Sequence, residues 1–162
     1  MNYSWTRCGT RKQVPYEAPR NRRVNALAAL VREGASPSLT WDSAPRSLTS
    51  QDLLAFLPAI PRRTDVPLAV VLDNGSLHAS AAVKAALPQL WAQRIYLYYL
   101  PPYSPKLNLI EPVFGVIKHH DLPERTYATV AAIEAAVDEA FTRYETRHYD
   151  LAKARIQPGL PA

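Results

Sequence analysis

Apolar residues in this chain come in short runs cut by proline and glycine, and the length and period of each run set the expected elements. Segment 1–20 carries Gly9, Pro15 and Pro19 and reads as irregular chain or short edge strands. Val24-Asn25-Ala26-Leu27-Ala28-Ala29-Leu30-Val31 is an apolar run ended by Gly34 and Pro37. Its periodicity fits a strand and a helix equally well. Leu39-Thr40-Trp41 reads as a short strand. Thr49-Ser50-Gln51-Asp52 reads as a helix start, with Thr49 as N-cap and an acid at the third helical position. Leu53, Leu54, Phe56 and Leu57 then supply an apolar face, and Pro58 is expected to stop the helix.

The middle of the chain is more informative. Pro67-Leu68-Ala69-Val70-Val71-Leu72, bounded by Asp73-Asn74-Gly75, predicts a strand buried on both faces. A helix is expected from about His78 to Leu87, with Pro88 kinking or restarting it. Ile95-Tyr96-Leu97-Tyr98-Tyr99-Leu100 predicts a second strand. Strand, helix and strand at this spacing form the parallel crossover unit. After the proline-rich loop 101–108, a helix is expected to open at Glu111-Pro112, because proline suits the first turn. A last helix is expected over about 127–147, where Val130, Ile133, Val137, Phe141 and Tyr144 keep helical spacing and mark a packing face. The pattern as a whole is mixed α/β.

Composition narrows the function classes. At 162 residues and 48% hydrophobic, the chain fits one domain that folds without staples. No apolar run reaches the ~18–20 residues of a membrane helix, and the N-terminus lacks the apolar core of a secretory signal. Cys8 is the only cysteine, which excludes an intramolecular disulfide and a cysteine-built zinc cage. The expectation is a soluble, cytoplasmic protein with no membrane partner. The net charge is +5, unevenly spread: residues 1–32 hold seven basic side chains against one acid, and residues 111–150 hold eight acids against four bases. That asymmetry points to one end facing a polyanion such as DNA, although basic surfaces often bind nothing specific.

Candidate chemistry gathers where the two central strands end, because ligands of open α/β sheets bind at the carboxyl ends of strands. Asp73 closes the first of these strands, and Glu111 opens a helix reached from the second. On neighbouring parallel elements, the two carboxylates suit a shared Mg²⁺, which takes one or two carboxylates together with waters and phosphate oxygens. Each residue also has a plainer explanation. Asp-Asn-Gly is ordinary turn chemistry, an acid at a helix start complements the dipole, and Tyr96, Tyr98, Tyr99 and Tyr103 fit alternation between core and surface.

Together, the segments VVLDNGSLHAS and IYLYYLPPYSPKLNLIEPVFGVIK resemble the catalytic core of DDE-superfamily transposases, in the branch of insertion sequences related to mariner elements. The matching positions are Asp73, Asn74 and His78, then Leu100 to Pro105, Leu107, Asn108, Ile110 and Glu111. Weaker similarity extends over most of residues 1–145. The resemblance implies a ribonuclease H-like mixed sheet with flanking helices, as a catalytic domain over 1–150 followed by a tail at 151–162. It also implies metal-dependent DNA cleavage and strand transfer, with two Mg²⁺ or Mn²⁺ ions in a complete site. Asp73 and Glu111 would be the second and third acids, and Asn74 and His78 would orient ligands or DNA. Arg20, Arg22, Arg23 and Lys106 are expected to contact phosphates.

Two departures from the family pattern stand out. Lys106 and Leu109 occupy positions where an acid and a proline are usual. The family's first Asp lies on a strand upstream of the segment matching Asn2-Tyr3-Ser4-Trp5, so that strand, its acid and the N-terminal DNA-binding region are expected to be missing. Without them the sheet would lose its centre, and two acids would hold two cations poorly. Three readings follow. The first is a catalytic fragment impaired alone, rescued by a complementing upstream segment or acting as a homodimer. The second is a non-catalytic DNA-binding or oligomerising remnant. The third is a nuclease completed by a local acid such as Asp42.

Overall fold

A computed structural model of the chain describes residue 8 and residues 23–33, 36–62, 66–122 and 127–156. The elements run β1 (Asn25–Glu33), β2 (Ser36–Ala44), α1 (Ser50–Ala59), β3 (Leu68–Leu72), α2 (Ala81–Ala92), β4 (Ile95–Tyr99), α3 (Ile110–Val116) and α4 (Val130–Ile156). A 3-10 turn at Pro105–Leu107 precedes α3, and a π-helical turn at Ile117–Asp121 follows it. The class is mixed α/β, as the pattern predicts.

The ambiguous run at 24–31 is strand. β1 pairs antiparallel with β2, from Asn25 opposite Ala44 to Glu33 opposite Ser36. Its near-continuous apolar character follows from its position between two layers. Leu27, Ala29 and Val31 pack toward a cluster built on Leu53, Phe56 and Leu57 of α1, Val83 and Leu90 of α2, and Ile95. Ala26, Ala28 and Leu30 pack the opposite way, toward Val113 of α3 and Ala140, Phe141 and Tyr144 of α4. Alternate side chains of one strand therefore serve two cores.

β3 and β4 run parallel, from Leu68 beside Ile95 to Leu72 beside Tyr99, with α2 between them in sequence. This is the crossover unit the spacing predicts. The expectation that the first of these strands is covered on both faces is corrected. Leu68, Val70 and Leu97 join the α1/α2 cluster, whereas Val71 and Tyr98 are each 57% exposed on the other face. Helices α3 and α4 cover β1 and β2 and leave that face of β3 and β4 open. The chain also forms two separate two-stranded sheets among the described residues, not one mixed sheet.

Three helix boundaries move for local reasons. α1 runs through Pro58 to Ala59, because a proline in the last turn forfeits only one bond and Leu57 and Ile60 stay buried. α2 begins after Ser80, not at His78. Residues 75–79 form a turn in which the His78 and Ala79 N–H groups donate to the Gly75 carbonyl, and the Ser80 hydroxyl then accepts from the Val83 N–H at 3.3 Å. The helix is continuous across the exposed Pro88 to Ala92 rather than restarting there. α4 extends past residue 147 and continues unbroken to Ile156.

α4 is held on β2 by aromatic and polar contacts. The Trp41 and Phe141 rings stack at 5.4 Å, and Phe114 meets Phe141 edge-on at 6.0 Å. Asp138 accepts from the Ser43 hydroxyl at 2.8 Å and the Trp41 indole at 3.3 Å. The π-helical turn is pinned as well: buried Asp121 is gripped by both guanidinium nitrogens of Arg147, at 3.0 and 2.8 Å, and Arg143 donates to its carbonyl. Among the described residues, no helix is long and apolar enough to cross a membrane.

Candidate active site

The parallel ladder carries Asp73 and the start of the following loop to the same edge. The Leu100 N–H donates to the Leu72 carbonyl at 2.8 Å, so the chain leaving β4 lies beside the chain leaving β3. Asn74 strengthens that junction, its side-chain amide donating to the Leu100 carbonyl at 2.6 Å. Asn74 therefore ties the two strand ends together and makes no bond to Asp73.

The Asp73 carboxylate is oriented by its own turn. One oxygen, Oδ1, accepts from the Gly75 N–H at 2.9 Å and from His78 Nδ1 at 2.7 Å. An ionised carboxylate can only accept, so the imidazole carries its hydrogen on Nδ1. Gly75 is required by close approach: a Cβ there would lie 3.0 Å from Asp73 Oδ1. The Gly75 N–H first, and then His78, hold the Asp73 carboxyl below the usual carboxylate range, against the opposing effect of partial burial. Both bonds fall on Oδ1, which leaves Oδ2 without a partner among the described residues. The turn is itself braced. The Tyr99 hydroxyl donates to the His78 carbonyl at 2.9 Å, and the Ser50 hydroxyl to the Leu77 carbonyl at 3.1 Å.

Glu111 sits in the first turn of α3, exposed, with its N–H donating to the Asn108 carbonyl at 3.1 Å. Asp73, His78, Asn108 and Glu111 all line one cavity of about 660 Å³. The rest of that cavity is largely apolar and its geometry is informative. Consecutive residues 26–32 of β1 and 66–73 around β3 line it, so it meets both faces of each strand, which means that it meets their edges. Among the described residues β1 pairs only with β2 and β3 only with β4, so the edges that face the cavity have no described strand partner. The cavity is a slot between two half-sheets, with Asp73 and Glu111 on its lining.

The remaining sequence candidates scatter. Arg20 and Arg22 lie outside the described residues. Arg23 is exposed, and its guanidinium donates to the Ser47 hydroxyl three residues before Ser50. Lys106 is exposed in the 3-10 turn. Asp42 is exposed on β2 opposite Leu27, away from the slot's lining. Among the described residues, no group of three or more His, Cys, Asp or Glu side chains is placed to hold a metal ion. Two features escaped sequence reasoning. The Arg46–Asp52 pair, at 2.8 and 2.6 Å, reinforces the start of α1, and only its spacing of six residues hinted at it. Tyr103 adopts a left-handed backbone, φ 56°, which no sequence signal marks.

Comparison with known proteins adds three findings. A family profile described as DDE superfamily endonuclease matches residues 1–134. No curated protein matches the chain. Among solved structures, the chain is similar to one in the cryo-EM structure of the simian T-cell lymphotropic virus intasome in complex with PP2A regulatory subunit B56 gamma, at 16% identity and a TM-score of 0.47. The match covers 99% of this chain and 64% of that one.

Proposed function

The chain belongs to the DDE superfamily endonuclease family, and from that premise we propose that it is a ribonuclease H-like transposase catalytic domain that cleaves and transfers DNA strands with Mg²⁺ or Mn²⁺. The observation that carries this reading is the shared cavity: the carboxylates of Asp73 and Glu111, far apart in sequence, line one slot at the ends of two parallel strands.

The donor set fits a hard divalent cation. Two carboxylates, one with a free oxygen, leave the remaining positions to water and phosphate oxygens, as Mg²⁺ prefers. Bound there, divalent ions would polarise the attacking water or 3′-hydroxyl and stabilise the leaving oxygen. The protein's own part is positional. His78 and Gly75 fix Asp73 through Oδ1 and leave Oδ2 available as a ligand, while the Asn74–Leu100 bond sets where the loop to Glu111 departs. Arg23 and Lys106, with Arg20 and Arg22, supply positive charge for phosphates, which positions DNA without reading its sequence.

Two carboxylates make an incomplete two-metal site. We infer that a third acid completes the site on a strand that would lie in the slot and pair with the facing edges of β1 and β3. Supplied in the same protein, by a complementing fragment or by a homodimer partner, it would join the half-sheets into one. Until it is supplied, cleavage is weak. The test is nicking of supercoiled plasmid with Mg²⁺ or Mn²⁺. An extended or complemented chain should gain nicking that Asp73→Asn and Glu111→Gln abolish. A folded, complemented chain with no gain would count against the reading.

A second reading, a non-catalytic DNA-binding or oligomerising remnant, is favoured by the seven basic side chains against one acid in residues 1–32. Duplex affinity would then fall steeply with salt, Asp73→Ala would leave it unchanged or tighten it, and no complementation would produce nicking.

A further inference from the structure

Tyr103 is the one described tyrosine whose ring stands wholly in water, at 102% relative exposure. It also holds a left-handed backbone, φ 56°, a conformation that side chains with a Cβ adopt only at a cost. Among the described residues no apolar burial of the ring offsets that cost. The loop around it is stiff. Pro101, Pro102 and Pro105 fix their own φ angles, and the Ser104 hydroxyl donates to the Pro102 carbonyl at 3.3 Å. The 3-10 turn closes behind, with the Asn108 N–H donating to the Pro105 carbonyl at 3.0 Å. At its start the loop is anchored to Leu72 and Asn74 through Leu100. Its other end is the helix that carries Glu111.

We propose, resting on the DNA-cleaving reading above, that Tyr103 is a stacking platform for an unpaired nucleobase of the strand that passes Asp73 and Glu111. A rigid aromatic held out by prolines loses little freedom on binding, which is what a preorganised contact needs. In sequence it stands on the loop that leads from β4 to Glu111, four residues before the cavity-lining stretch Leu107 to Glu111 begins. Lys106, exposed three residues further on, supplies a charge for the backbone of the same strand. That pairing of ring and cation, in a chain of net charge +5, favours nucleic acid over an apolar protein partner. Bases inside a duplex already have both faces covered by their neighbours, so the nucleotide that stacks here is unpaired. Every base has a π-face, so the contact tolerates any sequence.

The test uses the full chain and a fluorescently labelled duplex with a short single-stranded 3′ tail, with 2-aminopurine placed in the tail. Tyr103→Ala should weaken binding of the tailed duplex roughly tenfold, the order expected for one lost base–aromatic stack, and should leave binding of the fully paired duplex unchanged. Tyr103→Phe and Tyr103→Trp should keep the affinity and the 2-aminopurine fluorescence change. Equal affinity in Tyr103→Ala overturns the proposal. So does a Tyr103→Phe defect as large as that of alanine, which would assign the effect to the hydroxyl. Sedimentation velocity covers the protein-contact outcome: if Tyr103→Ala dissociates an oligomer while DNA affinity holds, the loop docks protein and the proposal is wrong. Metal-dependent nicking by the complemented chain, abolished by Asp73→Asn, reports separately on the reading beneath it. That activity with no Tyr103 effect defeats the stacking role alone.

Discussion

Asp73 shows how one carboxylate is divided between the fold and its ligand. Oδ1 is committed to Gly75 and His78, and Oδ2 has no partner among the described residues. Gly75→Ala tests the close approach that makes this possible. The added Cβ, 3.0 Å from Oδ1, must push the carboxylate aside by a few tenths of an ångström. Metal-dependent activity of the complemented chain should therefore drop well before stability does, as nicking rates and thermal melts measured side by side will show. A melt that falls while activity per folded molecule holds would contradict this. The same hydrogen bonds carry a pH signature. The Asp73 carboxyl is held below its unfolded value by Gly75 and then His78, and the Asp52 carboxyl lies far below the usual range, chiefly through Arg46 and then the Thr49 N–H and hydroxyl. The unfolded chain then binds more protons in the interval between the two values, so stability rises with pH there. These contributions are complete above the ordinary carboxylate value of ~3.9 and vanish as pH falls through the lowered folded values. Between about pH 5 and pH 2, melting temperature should fall less steeply in Asp52→Asn and Asp73→Asn than in the parent chain.

At the scale of elements, the sequence revealed strands and helices where a run served a single partner and misled where tertiary position decided. The 24–31 run was ambiguous because both faces of β1 are covered, the odd residues by α1 and α2 and the even ones by α3 and α4. The 67–72 run carried the same apolar signal, yet Val71 is 57% exposed, since none of the described helices covers that side of β3. A window of local sequence contains no information about which neighbour arrives. Pro58 reads as a stop and Pro88 as a kink or restart because proline is costly in a helix interior. One lies in a last turn and the other on an exposed face, where a single lost bond is tolerated. The site was legible to a different degree. Spacing placed Asp73 and Glu111 on neighbouring parallel elements, but the Asn74–Leu100 bond and the Tyr103 backbone depend on loop closure and left no local trace. α4 offers the sharpest energetic test at this scale. Phe141 is 2% exposed and touches both Trp41 and Phe114. Phe141→Ala should destabilise the chain by about 3–5 kcal/mol, read by urea unfolding, with α4 released from β2. A loss under ~1 kcal/mol would mean that this contact does not hold the helix.

For the whole molecule, the central feature is a slot between two strand edges that no other described strand pairs, with two acids on its lining. The excess of basic side chains lies in residues 1–32, whereas the acid-rich 111–150 region contributes to α3, the π-helical turn and most of α4. The central claim is that Asp73 and Glu111 act on a common ion. The most direct measurement is Mn²⁺ titration, followed by calorimetry or paramagnetic resonance, on the parent chain, Asp73→Asn, Glu111→Gln and the double variant. A shared ion predicts that either single change removes most of the affinity and that the second adds little, a strongly non-additive cycle. Independent, additive losses, or a Glu111→Gln variant that binds Mn²⁺ as the parent does, would contradict the account.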